Sequence, residues 1–161
     1  MRLVVAAAIA GLGIWGWLWL HPSPEQIIRK ELANLARTAC IPQNEGQLAK
    51  LANAQKLASF FTRDAEISID VRGRFDQTIT GREEVQEKAL AARAMLAGLT
   101  VQFLDVSVVV DPDGQQAIAH LTGRANIPGE STPQVDEFKF GFKYVDGDWL
   151  INRIQNVKTL H

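Results

Sequence analysis

At 161 residues the chain is sized for one domain, since a domain of about 100 to 150 residues buries a self-sufficient core. Seventeen basic against eighteen acidic residues leave a net charge of −1, and no Lys/Arg cluster follows a phosphate backbone, so nucleic acid is excluded as an expected partner. The single cysteine, Cys40, rules out an intrachain disulfide and a multi-cysteine zinc cage; neither a metal nor a cofactor is expected.

Leu3 to Leu20 is an apolar run without a charge, spanning about 27 Å as a helix, roughly the thickness of bilayer hydrocarbon. Trp15, Trp17 and Trp19 crowd its end, where indoles favour the headgroup layer, and Pro22 and Pro24 stop the helix. The small residues that signal-peptide cleavage would need lie inside the run, at Ala6 to Ala10. Residues 1–21 are therefore expected to be an uncleaved membrane anchor and 22–161 a single folded domain. Arg2 argues for a cytoplasmic N-terminus, which places the domain on the outer, periplasmic or extracellular, side.

Ser23-Pro24-Glu25-Gln26 reads as a capping box opening a first helix to about Ala39, with Ile28, Leu32 and Leu35 at helical spacing. After the break at Ile41-Pro42, Leu48, Leu51 and Leu57 predict a second helix ending near Phe60. The period then becomes two, with Ile67, Ile69 and Val71 on one side of a strand over Ala65 to Val71. Thr80-Gly81-Arg82-Glu83 predicts another capping box, opening a third helix with Val85, Ala89, Ala92 and Leu96 inward and Gly98 as its C-cap. Four strands follow: Thr100 to Val110, Gln116 to Ala125, Gln134 to Val145 and Trp149 to Lys158. Asp111-Pro112-Asp113-Gly114 and Asp146-Gly147 are hairpin turns between them. Helices first and strands later define an α+β fold, a curved antiparallel sheet wrapped around about three helices.

That order, together with Phe60-Phe61-Thr62-Arg63-Asp64-Ala65, Gly81-Arg82-Glu83-Glu84-Val85 and the Phe142 to Ile151 hairpin, resembles the nuclear transport factor 2 and ketosteroid isomerase (SnoaL-like) superfamily. The resemblance covers about Glu25 to Val157 and implies a cone-shaped, cystatin-like roll. It implies no single activity, because isomerases, dehydratases and non-enzymatic binding modules share this fold. A ketosteroid isomerase would carry a carboxylate base on the first strand, at a position that here looks like Ile69, with Asp70 turned away. The tyrosine expected on the first helix is absent, because Tyr144 is the only tyrosine. Asp136 alone resembles a residue of that catalytic set.

Phe138, Phe140, Phe142 and Tyr144 alternate with Glu137, Lys139, Gly141 and Lys143, which predicts an aromatic face turned inward. A two-residue turn at Asp146-Gly147 predicts Tyr144 opposite Trp149, Phe142 opposite Ile151, Phe140 opposite Arg153 and Phe138 opposite Gln155. On the other edge, the expected register sets Arg124 opposite Asp136 and His120 opposite Phe140, a pairing that a one-residue slip would invert. The candidate ligand site is then Phe138, Phe140, Phe142, Trp149, Arg124, Arg153 and Gln155, with Asp136 and His120 the candidate catalytic groups.

The leading expectation is a membrane-anchored, non-catalytic module that binds a small apolar ligand or a protein partner. Two alternatives accompany it. One is a lyase or isomerase using His120 as general base with Asp136. The other is a homodimeric scaffold burying an outer face that carries Leu150 and Ile154.

Overall fold

The computed structural model describes residues 21–71 and 75–157. The expected anchor, Leu3 to Leu20, lies outside the described residues; among those that are described, no helix is long and apolar enough to cross a membrane. The described chain forms three helices and a sheet of six strands.

Helix α1 (Pro24–Ala39) begins at the expected capping box: the Ser23 hydroxyl accepts from the Gln26 amide, and the Gln26 side chain accepts from the Ser23 amide. Its buried stripe is Ile28, Leu32, Leu35 and Ala36, the i, i+4, i+7, i+8 pattern read from the sequence. Helix α2 (Gln47–Ser59) buries only Ala54 and Ala58 and leaves Leu48 and Leu51 exposed.

Strand β1 (Phe61–Val71) starts earlier than expected, because the parallel bridge from Phe61 to Ile151 draws residues 61–64 into the sheet. Strand β2 (Phe75–Thr80) was not anticipated; it pairs antiparallel with β1. Helix α3 (Arg82–Met95) lacks the expected side-chain cap. Gly81, at φ 89°, is the N-cap instead, its amide bonded to Ala65 O, while the Glu84 carboxylate accepts from the Thr80 amide. Gly98 is not the C-cap, since the helix closes at Leu96; the Gly98 amide donates to Ile41 O. Arg93, which is not among the inward residues expected for this helix, is buried.

The remaining strands are β3 (Thr100–Val110), β4 (Gln116–Asn126), β5 (Gln134–Val145) and β6 (Asp148–Asn156), close to the expected bounds. The sheet order is β2-β1-β6-β5-β4-β3. The Asp146-Gly147 turn pairs Val145 with Asp148, both turn residues having positive φ, as a two-residue hairpin of the primed type demands.

Two irregularities aim the side chains. In β3 the register shifts between Leu104 and Ser107 around Asp105, which has φ 52°, so Val101 and Phe103 face inward before the shift and Val106, Val108 and Val110 after it. In β6 the register shifts opposite Gly141, leaving Asn152 as the extra residue. A Cβ at Gly141 would stand 2.9 Å from the Asn152 Oδ1, so the glycine makes room for the bulged side chain.

The core lies between the concave face of the sheet and α1, with Phe140, Phe142, Trp149, Ile151, Ile154, Ala117, Ala119 and Leu121 below the helix residues. Alanines on β4 face phenylalanines on β5 (Ala117 with Phe142, Ala119 with Phe140), a small-to-large fit across paired strands. Helix α1 is pinned along β3 at both ends: Arg29 donates to Val106 O at 2.6 Å, and the Val101 amide donates to the Cys40 sulfur at 3.3 Å. Cys40 is thus a partly buried structural thiol.

Candidate functional site

The strand face settles which side chains can meet. Asp136, Phe138, Phe140 and Phe142 point to the concave side, as the alternation of β5 predicts. The rest of the expected register needs correction at both edges of that strand.

On β4 the observed partners are Gly123 with Asp136, Leu121 with Phe138 and Ala119 with Phe140. Arg124 pairs with Val135 and His120 with Lys139, one residue away from expectation. The loop from Ile127 to Pro133 permits either register. The observed one buries Ala117, Ala119 and Leu121, which the other would have exposed in favour of His120 and Arg124. His120 and Arg124 are therefore exposed on the outer face, and His120 does not converge with Asp136.

On β6 the hairpin follows expectation from Val145 to Phe142, and then the Asn152 bulge inverts the face. Phe140 faces Ile154 and Phe138 faces Asn156, while Arg153 and Gln155 turn outward. Arg153 forms an exposed pair with Glu66 of β1 at 3.2 Å. Arg153 and Gln155 border a shallow polar groove on the outer face with Lys139, Gly141 and Asn152, and have no part in the concave site. Ile154, expected on the outer face, is in the core.

The concave site is a cavity of about 230 Å³ whose lining comes entirely from strands. Its walls are Ile69, Val101, Phe103, Phe138, Phe140 and Ile154, with Gly123 and Ala125 as a floor of small residues. Phe103 and Phe140 meet edge to face at 5.6 Å, and Phe138 meets Phe140 at 6.4 Å. Gly123 is indispensable to this shape: a Cβ there would lie 2.7 Å from the Phe138 ring.

Polar groups enter at Gln134, Asp136 and Arg124. The Gln134 amide is engaged with Glu130 at 3.0 Å, and Arg124 alternates to the exposed outer face. Asp136 thus remains as the carboxyl group on the concave face, without a hydrogen-bonding or ionic partner among the described residues.

Phe142 and Trp149 do not line the cavity. Both are buried nearer the hairpin turn, where Trp149 packs on Tyr144 at 5.3 Å. The alternation of β5 was enough to find Phe138 and Phe140. Val101, Phe103, Gly123, Ala125 and Ile154 were missed, although the alternation of Val101 and Phe103 with Gln102 and Leu104 was a usable signal.

A second buried polar cluster lies outside the cavity. Arg93 of α3 donates to the Glu45 carboxylate at 2.5 Å, to Thr38 O and to Cys40 O, and Asn53 donates to the same Glu45 oxygen at 2.6 Å. Burial works to raise the Glu45 pKa, but the Arg93 and Asn53 hydrogen bonds and the attraction of Arg93 and Lys50 outweigh it and hold the carboxyl below its usual range. The cluster ties the loop between α1 and α2 to α3, a structural role. Among the described residues, no three His, Cys, Asp or Glu side chains gather as metal ligands would.

Residues 46–155 match the family model of the SnoaL-like domain. The chain belongs to that family, as the resemblance in its sequence implied. No curated protein matches it. Among solved structures, it is similar to a nuclear transport factor 2-like protein with a cystatin-like fold from Novosphingobium aromaticivorans, with TM-score 0.61 and 18% identity over 94% of this chain and 86% of that one. It is also similar to two other proteins of that organism. A provisionally assigned scytalone dehydratase has TM-score 0.59 and 15% identity, covering 83% and 84% of the two chains. A provisionally assigned aromatic ring hydroxylase has TM-score 0.62 and 14% identity, covering 81% and 85%. At these identities the likeness establishes the fold: α+β, a curved six-stranded sheet with three helices.

Proposed function

We propose that this chain is a membrane-tethered, non-catalytic member of the family that binds a small apolar or amphipathic ligand on the concave face of its sheet. The observation that carries the ligand reading is the cavity itself: about 230 Å³, walled by Phe103, Phe138, Phe140, Val101, Ile69 and Ile154. Its size suits one or two rings.

Three placements favour binding over proton-transfer chemistry. Ile69 lines the cavity at the first-strand position where a ketosteroid isomerase would hold its base. His120 is on the opposite face from Asp136. Tyr144 packs on Trp149, away from the cavity.

The tether rests on the uncharged run Leu3 to Leu20 and its tryptophan-rich end. The chain enters α1 at Ser23, beside the Val106 half of β3, whereas the cavity adjoins Val101 and Phe103 at the other half. A ligand would reach it from the aqueous side.

The test is thermal unfolding of the full-length chain with monocyclic and bicyclic apolar compounds, because a ligand of the native state raises the midpoint. Binders should raise the midpoint of the wild type and leave that of Ala125→Phe, whose ring fills the floor, unmoved. Wild-type midpoints that stay put across the whole panel would sink the ligand reading. For the tether, the chain should stay in the membrane fraction after washes with high salt and alkali; release into the wash would contradict an integral anchor.

A further inference from the structure

We infer that the ligand of this cavity is a small amine, an apolar body carrying a cationic nitrogen that comes to rest against Asp136. The inference rests on the reading of the cavity as a ligand site and names the chemical class that the site takes.

The walls are hydrocarbon and aromatic, and a polar group on such a surface is left unpaired only at a cost in free energy. Asp136 is half-buried on the concave face, directly across from Gly123, and no side chain or amide among the described residues satisfies its carboxyl group. The polar neighbours do not compete for it. Gln134 is occupied by Glu130, and Arg124, the cation bordering the cavity, turns its side chain to the exposed outer face between Gly123 and Ala125.

A cationic donor brought by the ligand would supply what the protein withholds, since a charge-assisted hydrogen bond to a carboxylate is roughly twice as strong as a neutral one. The surrounding rings reinforce the choice. Phe138 lies two residues along the same strand face from Asp136, and an ammonium near an aromatic face gains attraction that neither a hydroxyl nor a carboxylate obtains. An anionic ligand would meet the Asp136 carboxyl with like charge. The absence of a Cβ at Gly123 lets the Phe138 ring lie over β4, across from Asp136, where it borders the position of the head group.

Four probes that share one phenyl ring separate the head group from the body: propylbenzene, 2-phenylethanol, phenethylamine and 3-phenylpropionate, each titrated calorimetrically into the full-length chain. Phenethylamine should bind at least about tenfold more tightly than the alcohol, and 3-phenylpropionate more weakly than either. Asp136→Asn, nearly isosteric, should abolish the preference for the amine while leaving propylbenzene binding unchanged. Amine and alcohol of equal affinity, or an amine preference that survives Asp136→Asn, would overturn the inference and leave the apolar cavity standing as a ligand site. Failure of all four probes, propylbenzene included, would remove the ligand reading along with it.

Discussion

The Glu45 carboxylate and the Arg93 guanidinium meet at 2.5 Å with side chains only 3% and 2% exposed, joining the loop after α1 to the last turn of α3. Removing one partner leaves the other charge buried and uncompensated. Arg93→Ala should therefore lower unfolding stability by about 3 to 5 kcal/mol, measured by urea titration. Replacing both residues by apolar ones of similar size should cost less than Arg93→Ala alone. A double variant as unstable as the single one would mean that the backbone contacts of Arg93 to Thr38 and Cys40, and not the ion pair, hold the loop.

The same pair sets a pH dependence. The folded-state pKa of Glu45 lies below its ordinary value, so the carboxylate contributes stability that is complete above the unfolded pKa, about 4.3, and is lost as pH falls through the lowered folded value. Unfolding midpoints of the wild type should drop over that acidic interval. Glu45→Gln should start lower at neutral pH and flatten the drop; an unchanged slope would assign it to other carboxylates.

Gly123→Ala places a methyl group 2.7 Å from the Phe138 ring, in a wall where backbone and ring are both packed. The ring must swing away. The expected cost is about 1 to 3 kcal/mol, with weakened binding of any ring-shaped ligand. Stability and affinity indistinguishable from wild type would show that Phe138 has a second position of equal energy.

Asn152 is the residue whose insertion turns Arg153 outward and Ile154 inward. Its deletion should cost little more than Asn152→Ala, because in the shortened strand plain alternation still sets Ile151 inward, Arg153 outward and Ile154 inward, opposite Phe142, Gly141 and Phe140. A loss of about 0.5 to 3 kcal/mol is expected for the deletion, and failure to fold would show that the bulge does more than set the faces of β6. Circular dichroism and urea titration of the two variants compare them directly.

Arg153 and Glu66 make an exposed pair on the outer face, and such pairs contribute about 0 to 1 kcal/mol. Arg153→Ala should leave both stability and ligand affinity nearly unchanged. A substantial loss of affinity would reinstate Arg153 as a ligand residue and contradict the observed face of β6.

Much of this architecture was legible along the chain because it depends on neighbours in sequence. The Ser23 capping box, the Asp146-Gly147 turn and the alternation of Phe138, Phe140 and Phe142 are local rules of backbone geometry and side-chain period, and they predicted α1, the last hairpin and the inward face of β5. The order of those elements was enough for the family resemblance. Strand β2 escaped, because Phe75–Thr80 has a weak pattern of its own and exists as a strand through pairing with β1.

The membership of the site was decided at longer range. A strand's side chains change face with each residue, so a one-residue difference at β4 moved His120 and Arg124 to the outside, and a single bulge at Asn152 did the same to Arg153 and Gln155. In β4 the alternation of Ala117, Ala119 and Leu121 with His120 and Thr122 favours the observed face, whereas nothing local to β6 marks the bulge at Asn152. The choice falls to the burial of Ala117, Ala119, Leu121 and Ile154 beneath α1, and to the fit of Asn152 over Gly141. By itself the sequence determined the three helices, the strands other than β2 and which face of β5 is apolar. Only tertiary packing decided which polar residues share the cavity, because hydrophobic burial is summed over the whole sheet before any one register is favoured.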